Sequence, residues 1–281
     1  YLDWAPKRSV LVFNMVDSIG LNYQRSRTEV KSVFWKLIYN IETKRLLRYE
    51  RDWVQKADVS YLVNNDEKNY WKQYGRNVQL VPHGVKPDLF EYDERDSRYT
   101  DKVVFIGKMD YQPNVDAVEW YVRKVHSRIG DKIPLIIIGA FPPKKLLRLV
   151  KQYDNVEVTG FVQDPYRILN SALAVVAPMQ TGGGIQNKVL EGMAIGQINV
   201  VSGLAARPIL GAIDGEHLLI ADTAEQYIQI LTKLRENRAH FAFIGEKARS
   251  FIRSHYTWDA FENAYIEGIE QACKNKRLKA E

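Results

Sequence analysis

The sequence is poor in the features that announce the commonest chemistries. It has one cysteine, Cys273, which excludes an internal disulfide and suits a reducing compartment; we read it as a structural bystander. No run of about 18 apolar residues occurs, so no membrane-spanning helix is expected. The first residues, Y-L-D-W-A-P-K-R-S-V, lack the order of a signal peptide, and the expected location is cytoplasmic. There is no G-x-x-x-x-G-K-S/T, no serine-hydrolase elbow and no Cys/His cluster. The five histidines, at 83, 126, 217, 240 and 255, show no ligand spacing, so no metal site is expected. Internal repeats are absent, and the polar stretch Glu91–Lys102 is the nearest thing to a linker.

What remains is ordinary globular composition, 46% hydrophobic and 26% charged. Its 281 residues suffice for two modest domains or one large one. The formal charge is +6, with modest basic clusters at Lys144-Lys145, Arg45–Arg51 and Lys274–Lys279. Such a balance attracts nucleic acid, an anionic membrane face or phosphorylated ligands. No nucleic-acid motif accompanies the clusters. Nucleic acid is therefore not an expected partner, and peripheral contact with a membrane surface is the preferred use.

The chain is organised around Ala172–Gly203. Leu173–Ala177 is a short continuous apolar run ending at Pro178, the pattern of a strand buried on both faces of a parallel sheet. Gly182, Gly183 and Gly184 follow, then a helical pattern with Ile185, Val189 and Met193 on one side and Lys188 and Glu191 on another. Gly196 stops that helix, and Ile198–Val201 is a second strand. The unit is a right-handed parallel crossover. Ligands of open parallel sheets sit at the carboxyl ends of strands. A glycine run there lets backbone N–H groups approach an anion, and the helix dipole adds positive charge. Lys188 in the first turn runs against that dipole, at a cost of a few tenths of a kcal/mol, unless an anion sits beside it. Gly182–Lys188, with Ile185, Gln186 and Asn187 between, therefore reads as a phosphate cradle. Glu191, one turn on, can accept hydrogen bonds from vicinal sugar hydroxyls. The plainer alternative is a flexible loop before an ordinary helix, with Lys188 and Glu191 as a surface ion pair.

Elsewhere the pattern alternates strand and helix. Strands are expected at Val10–Met15, Asp58–Val63, Val78–Val81, Val103–Gly107, Leu135–Gly139, Val156–Thr159 and Leu218–Ile220. Asp17 and Ser18 read as a helix cap or loop. Helices are expected at Ile38–Val54, Asn65–Tyr74, Val115–Val125, Pro143–Tyr153, Pro165–Ser171, Ala224–Asn237, Phe241–His255 and from about Tyr256 to Cys273. The strand Val103–Gly107 followed by Lys108 offers a second phosphate-facing loop, or simply a solvated lysine at a strand end. Trp258 reads as a packing anchor, Phe161 as a candidate core residue, and His83 as either a site residue or a plain loop histidine.

Three regions of the chain carry a resemblance, the last of them through two overlapping segments. E-G-M-A-I-G-Q-I-N-V-V is similar to the nucleotide-sugar site of GT-B glycosyltransferases of the retaining, GT4-like kind. G-I-Q-N-K-V-L-E-G-M resembles more closely still the bacterial sugar transferases associated with exopolysaccharide systems. V-Q-L-V-P-H-G-V-K-P-D-L-F resembles the GT-B linker, and F-I-G-K-M-D-Y-Q-P-N-V-D-A a donor-side loop of that subgroup. The resemblance implies an α/β, GT-B type fold of two Rossmann-like domains. Residues 1–90 would be the C-terminal part of an acceptor-side domain lacking its first strands. Residues 91–255 would be the donor domain, and residues 256–281 a closing helix crossing back to the first domain.

It also implies roles. Lys108 and Lys188 would face the diphosphate, with Gly107 and the glycine loop, and Glu191 the ribose; Val162 would read the base through its main chain. The donor would be a nucleoside diphosphate sugar, the acceptor a saccharide or lipid-linked molecule at the inner membrane face, and no cofactor would be needed. Asp-x-Asp, the metal-binding feature of the other large glycosyltransferase fold, is absent, so metal-independent hexosyl transfer is expected. One departure stands out: Gly183 occupies the place of the family's first glutamate. A non-catalytic nucleotide-sugar-binding scaffold and a nucleotide-sugar epimerase are the alternative readings.

Overall fold

The computed structural model describes residue 6, residues 9–26 and residues 33–277. The N-terminal stretch and the end of the basic run at 274–279 lie outside them. In chain order the strands are β1 (Val12–Val16), β2 (Val59–Leu62), β3 (Val78–Leu80), β4 (Val103–Ile106), β5 (Leu135–Ile138), β6 (Val156–Gly160), β7 (Ala174–Ala177), β8 (Asn199–Val201) and β9 (Leu219–Ile220). The helices are α1 (Ile19–Ser26), α2 (Val33–Lys56), α3 (Asn65–Trp71), α4 (Gln112–Tyr121), α5 (Ser127–Ile129), α6 (Lys144–Val150), α7 (Tyr166–Ser171), α8 (Asn187–Ala194), α9 (Gly203–Ala206), α10 (Ala224–Glu236), α11 (Arg238–His255) and α12 (Trp258–Arg277). The chain divides into two compact units, residues 1–84 with 258–281, and residues 85–257.

The first unit holds a parallel sheet in the order β1-β2-β3. One face packs Leu62, Trp71 and Val78 with Leu21 and Val54 from α1 and α2; the other packs Val59, Tyr61 and Val81 against Ala272 of α12. Gly268 lets α12 lie close on the sheet, since a Cβ there would come within 2.3 Å of the Tyr61 hydroxyl oxygen. That hydroxyl donates to the Tyr265 carbonyl at 2.6 Å. At the end of β1, Val16 takes φ of 59°, a strained backbone for a β-branched residue. The chain leaves the sheet there and enters α1. The Ser18 N–H donates to Glu67 at 2.6 Å and its hydroxyl to Glu50 at 2.7 Å, while buried Glu67 also pairs with Arg25 at 2.7 Å. Carboxylates at a helix N-terminus are favoured by its dipole, so this polar knot fixes the start of α1.

The second unit is a six-stranded parallel sheet in the order β6-β5-β4-β7-β8-β9. Strands β5, β7 and β8 are buried along their whole length, as continuous apolar runs require when helices cover both faces. The chain moves outward from β4 to β6, then returns to β7 beside β4 and moves outward the other way. The order therefore reverses between β4 and β7, and the crevice at their carboxyl ends is a topological switch point. Buried Gln197 ties the approach to β8 in place, donating to the Leu169 and Ala172 carbonyls at 2.7 and 2.8 Å.

One local expectation is settled and two change. The Asp17-Ser18 cap opens an eight-residue helix. The helix expected to run through Val125 departs from α geometry at Val122 and makes a wider turn to His126, burying Val122, Val125 and His126. The polar stretch before β4 is anchored rather than loose: it contains a helical turn at Ser97–Tyr99, and the Asp96 N–H donates to the Ser171 hydroxyl at 2.6 Å.

Candidate functional site

At the switch point two helices begin side by side. α4 follows β4 and α8 follows β7; their N-cap residues, Tyr111 and Gln186, make no side-chain cap hydrogen bond. Asn114 and Val189 donate back to the N-cap carbonyls and Pro113 has no N–H, so the N–H groups of Gln112 in α4 and of Asn187 and Lys188 in α8 are the ones left to other partners. Gly182 and Gly184 take φ of 98° and 75°, which few other residues tolerate. A Cβ on Gly182 would lie 3.3 Å from Pro113, so the glycine loop rests against the start of α4. Gly183 lies between them with no such requirement. Ile185 packs on the core, Gln186 is half-buried and Asn187 is exposed.

Lys188 is not the surface cation of the plainer alternative. Its ammonium donates to Asn114 Oδ1, lies 3.7 Å from the Met179 sulfur and sits 4.7 Å from the centre of the Phe105 ring. All three hosts are neutral. Burial pushes its pKa down to about 8, because a cation taken from water without a counter-charge is disfavoured. Glu191 turns elsewhere. Its carboxyl is pushed up by burial, opposed by nearby Lys86 and a hydrogen bond with the Tyr166 side chain. The Tyr166 phenol is in turn raised to about 12, by burial first and then by the Glu191 charge. Sequence spacing places Lys188 and Glu191 as helix neighbours, but their tertiary surroundings separate them.

Asn114 is the residue that sequence reasoning missed. It is buried, and its Nδ2 donates to the Lys108 carbonyl at 2.9 Å while its Oδ1 receives Lys188. One side chain thus joins the loop after β4 to the helix after β7. Gly107 makes room for it, since a Cβ there would fall 2.7 Å from the Asn114 amide nitrogen. The only signal in the sequence was its place in M-D-Y-Q-P-N. Lys108 itself points out, exposed and 3.1 Å from Asp110. Its main chain belongs to the cluster and its ammonium does not.

The loop after β6 carries Val162, which is half-buried against the core. Phe161 beside it is 80% exposed, which corrects its reading as a core residue: it follows directly on the end of β6, outside the sheet's packed faces. Phe141, after the neighbouring β5, is similarly exposed with φ of 59°. Both aromatics therefore stand at the carboxyl end of the sheet. His83 belongs to the first unit, edge-on to Trp258 with ring centres 5.2 Å apart. Among the described residues no group of three His, Cys, Asp or Glu side chains could hold a metal ion. No described helix is long and apolar enough to cross a membrane.

Comparison with known proteins places this geometry. The chain is 23% identical over 244 residues to an uncharacterized 44.6 kDa protein in the cps region of Klebsiella pneumoniae, covering 83% of this chain and 62% of that one. It is 23% identical over 237 residues to an uncharacterized glycosyltransferase of Methanocaldococcus jannaschii, covering 77% and 59%. It thus spans about 60% of the length of these relatives. Among solved structures, Anabaena HepE in complex with UDP and glucose superposes with a TM-score of 0.70 at 12% identity, covering 94% of this chain and 72% of that one. At such identity the likeness is one of fold, and the fold is the GT-B type. A family model described as Glycosyl transferases group 1 matches residues 100–252. With its crevice between two uncapped helices and a match over more than half its length, the chain belongs to the glycosyl transferases group 1 family.

Proposed function

We infer that the chain acts as a glycosyltransferase on a nucleoside diphosphate sugar, passing a hexose to a saccharide or lipid-linked acceptor in surface or extracellular polysaccharide synthesis. The observation that carries this reading is Lys188: a largely buried ammonium with three neutral hosts, at the mouth of two helix N-termini. A buried charge is stabilised most by a counter-charge, and a diphosphate lying over the glycine loop would supply one. Lys188 and the N–H groups of residues 182–188 then offset the negative charge that builds on the departing diphosphate, without a metal ion; such preorganised donors are worth several kcal/mol in a transition state.

Lys108 reaches the same diphosphate only by leaving Asp110. Glu191, held by Tyr166, accepts from the ribose hydroxyls. The loop of Gly160, Phe161 and Val162 meets the base, Val162 through its main chain. Transfer with retention, a cytoplasmic setting and an acceptor at the inner membrane face complete the reading, supported by the family and by the relative in a cps region. A non-catalytic nucleotide-sugar scaffold is the second reading, favoured by Gly183 where the family pattern has a carboxylate.

The test is calorimetric titration of the full chain with UDP and other nucleoside diphosphates. Lys188→Ala is expected to weaken binding by about 10- to 100-fold, a loss of about 1.4 to 2.7 kcal/mol. Glu191→Ala should weaken a nucleoside diphosphate but not inorganic pyrophosphate. Unchanged affinity in both variants overturns the assignment. Binding without transfer to any acceptor supports the scaffold, and epimerised donor without acceptor supports an epimerase.

A further inference from the structure

Asn114 stands in the first turn of α4, inside the second unit, and neither the glycine loop nor the ribose contact makes use of it. It is 5% exposed. A carboxamide offers an acceptor on one atom and donors on the other, and both ends are engaged: Nδ2 donates to the Lys108 carbonyl at 2.9 Å, and Oδ1 receives the Lys188 ammonium. Neither partner permits the reverse. A carbonyl oxygen only accepts and an ammonium only donates, so the amide has one satisfied orientation, with its oxygen toward Lys188. The Asn114 N–H returns to the Tyr111 carbonyl at 3.0 Å, which fixes the stem of the side chain at the start of α4. The charged groups of the neighbouring elements are engaged elsewhere. Asp110 faces Lys108 at 3.1 Å, Asp116 of α4 accepts from Gln112 at 2.7 Å, and Glu191 faces Tyr166 and Lys86. Arg249 of α11 donates to the Ile195 carbonyl at the far end of α8. Burial alone pushes Lys188 down to about 8.

We propose, resting on the diphosphate reading of the glycine loop, that Asn114 is the positioning residue that aims the Lys188 ammonium at the diphosphate, and that it can do so only because it is neutral. An ammonium has three N–H bonds; Asn114 takes one and the Met179 sulfur at 3.7 Å a weak second. One is left for an incoming oxygen. An apolar residue of the same size in place of Asn114 would strip away the hydrogen bond that favours the charged form, and the proton would leave at lower pH. A carboxylate there would hold the proton more firmly but cancel the charge, and it would set an oxygen against the Lys108 carbonyl. The amide does neither. It sustains the cation and leaves its charge for the ligand, while its other end holds the loop after β4 to the start of α8.

Two readouts on the full chain decide the matter, one without ligand and one with it. In protein carrying isotope-labelled lysine, the Lys188 side-chain resonances, assigned by their loss in Lys188→Met, are followed against pH by NMR. Asn114→Leu is expected to lower the midpoint by about one pH unit and Asn114→Asp to raise it by about as much. Calorimetric titration at about pH 7 should then show both variants weakened about tenfold, equally for inorganic pyrophosphate and for UDP, since the contact is with the diphosphate. In the Lys188→Met background, Asn114→Leu should cost less than about twofold, because Asn114 acts through Lys188. Thermal unfolding checks that each variant is folded; should Asn114→Leu not fold, Asn114→Asp, nearly identical in shape, carries both readouts. Midpoints that stay together, or losses that add in the double variant, overturn the proposal. If Lys188→Met weakens both ligands and the Asn114 variants do not, the diphosphate reading stands and the positioning role fails. If the midpoints part but the parent binds neither ligand, the diphosphate reading has failed, and the proposal falls with it for that separate reason.

Discussion

The two units solve the same architectural problem with different margins. The second covers six parallel strands on both faces and gathers its apolar side chains into one continuous core. The first has three strands among the described residues, two small clusters on opposite faces of the sheet, and a row of large apolar side chains in the open on α2. Where the sheet is fully covered, chain paths approach so closely that only glycine fits between them. In the smaller unit, the tight contact at Gly268 of α12 is against side chains. The difference teaches where each unit tolerates change: the second is rigid around its crevice, and the first has slack.

The largest expected effect tests that contrast directly. A Cβ on Gly139 would meet the Gly107 carbonyl oxygen at 1.9 Å, and neither backbone can yield without moving β4 or β5. Gly139→Ala should therefore destabilise the second unit by about 3 kcal/mol or more. Gly268→Ala in the first unit meets the Tyr61 hydroxyl and the Gln79 side chain, which can shift, at a cost of about 1 to 2 kcal/mol. Thermal unfolding of both variants measures the difference, and an equal or larger loss for Gly268→Ala would break the comparison.

A smaller effect sharpens the account of the crevice. The Lys188 ammonium has a pKa near 8 in the folded chain, against 10.5 when unfolded. Between those values the unfolded chain binds more protons, so stability without ligand should rise as pH goes from about 8 to 10.5. Diphosphate affinity should move the opposite way, because only the ammonium attracts the anion. It should be full below pH 8 and decline above it, with the midpoint moved up by the bound charge. Titrations from pH 7 to 9.5 check this, and Lys188→Met should flatten that decline.

The smallest effect belongs to Lys108. Its exposed ammonium already has Asp110 at 3.1 Å, and exposed pairs are worth about 0 to 1 kcal/mol. Lys108→Ala is expected to weaken a nucleoside diphosphate by less than about fivefold. A loss matching that of Lys188→Ala would mean that the two lysines act alike, whatever their surroundings.

The contrast between the units also governs what could be read from the sequence. The strands of the second unit were legible to within a residue or so, since a strand buried on both faces leaves an uninterrupted apolar run such as Leu135–Ile138. The glycine loop was legible because its φ values demand glycine. Asn114 was not, for a polar residue in a helix's first turn looks like a cap until its tertiary partners are known. The divergence of Lys188 and Glu191 was hidden for the same reason: helical spacing describes neighbours along one helix and says nothing of Phe105 or Tyr166. The wider turn at Val122–His126 left no trace in the apolar periodicity. In the first unit the strands were again plain, but the polar knot of Ser18, Glu50 and Glu67 joins residues up to 49 positions apart, beyond any local pattern.

The hosts of the Lys188 ammonium bear on how fast a ligand could exchange. An ammonium locked to a carboxylate must break that tie before it can greet an incoming anion, and the tie re-forms in competition when the anion leaves. Held instead by an amide oxygen, a thioether and a ring face, Lys188 has no carboxylate to part from when an anion comes.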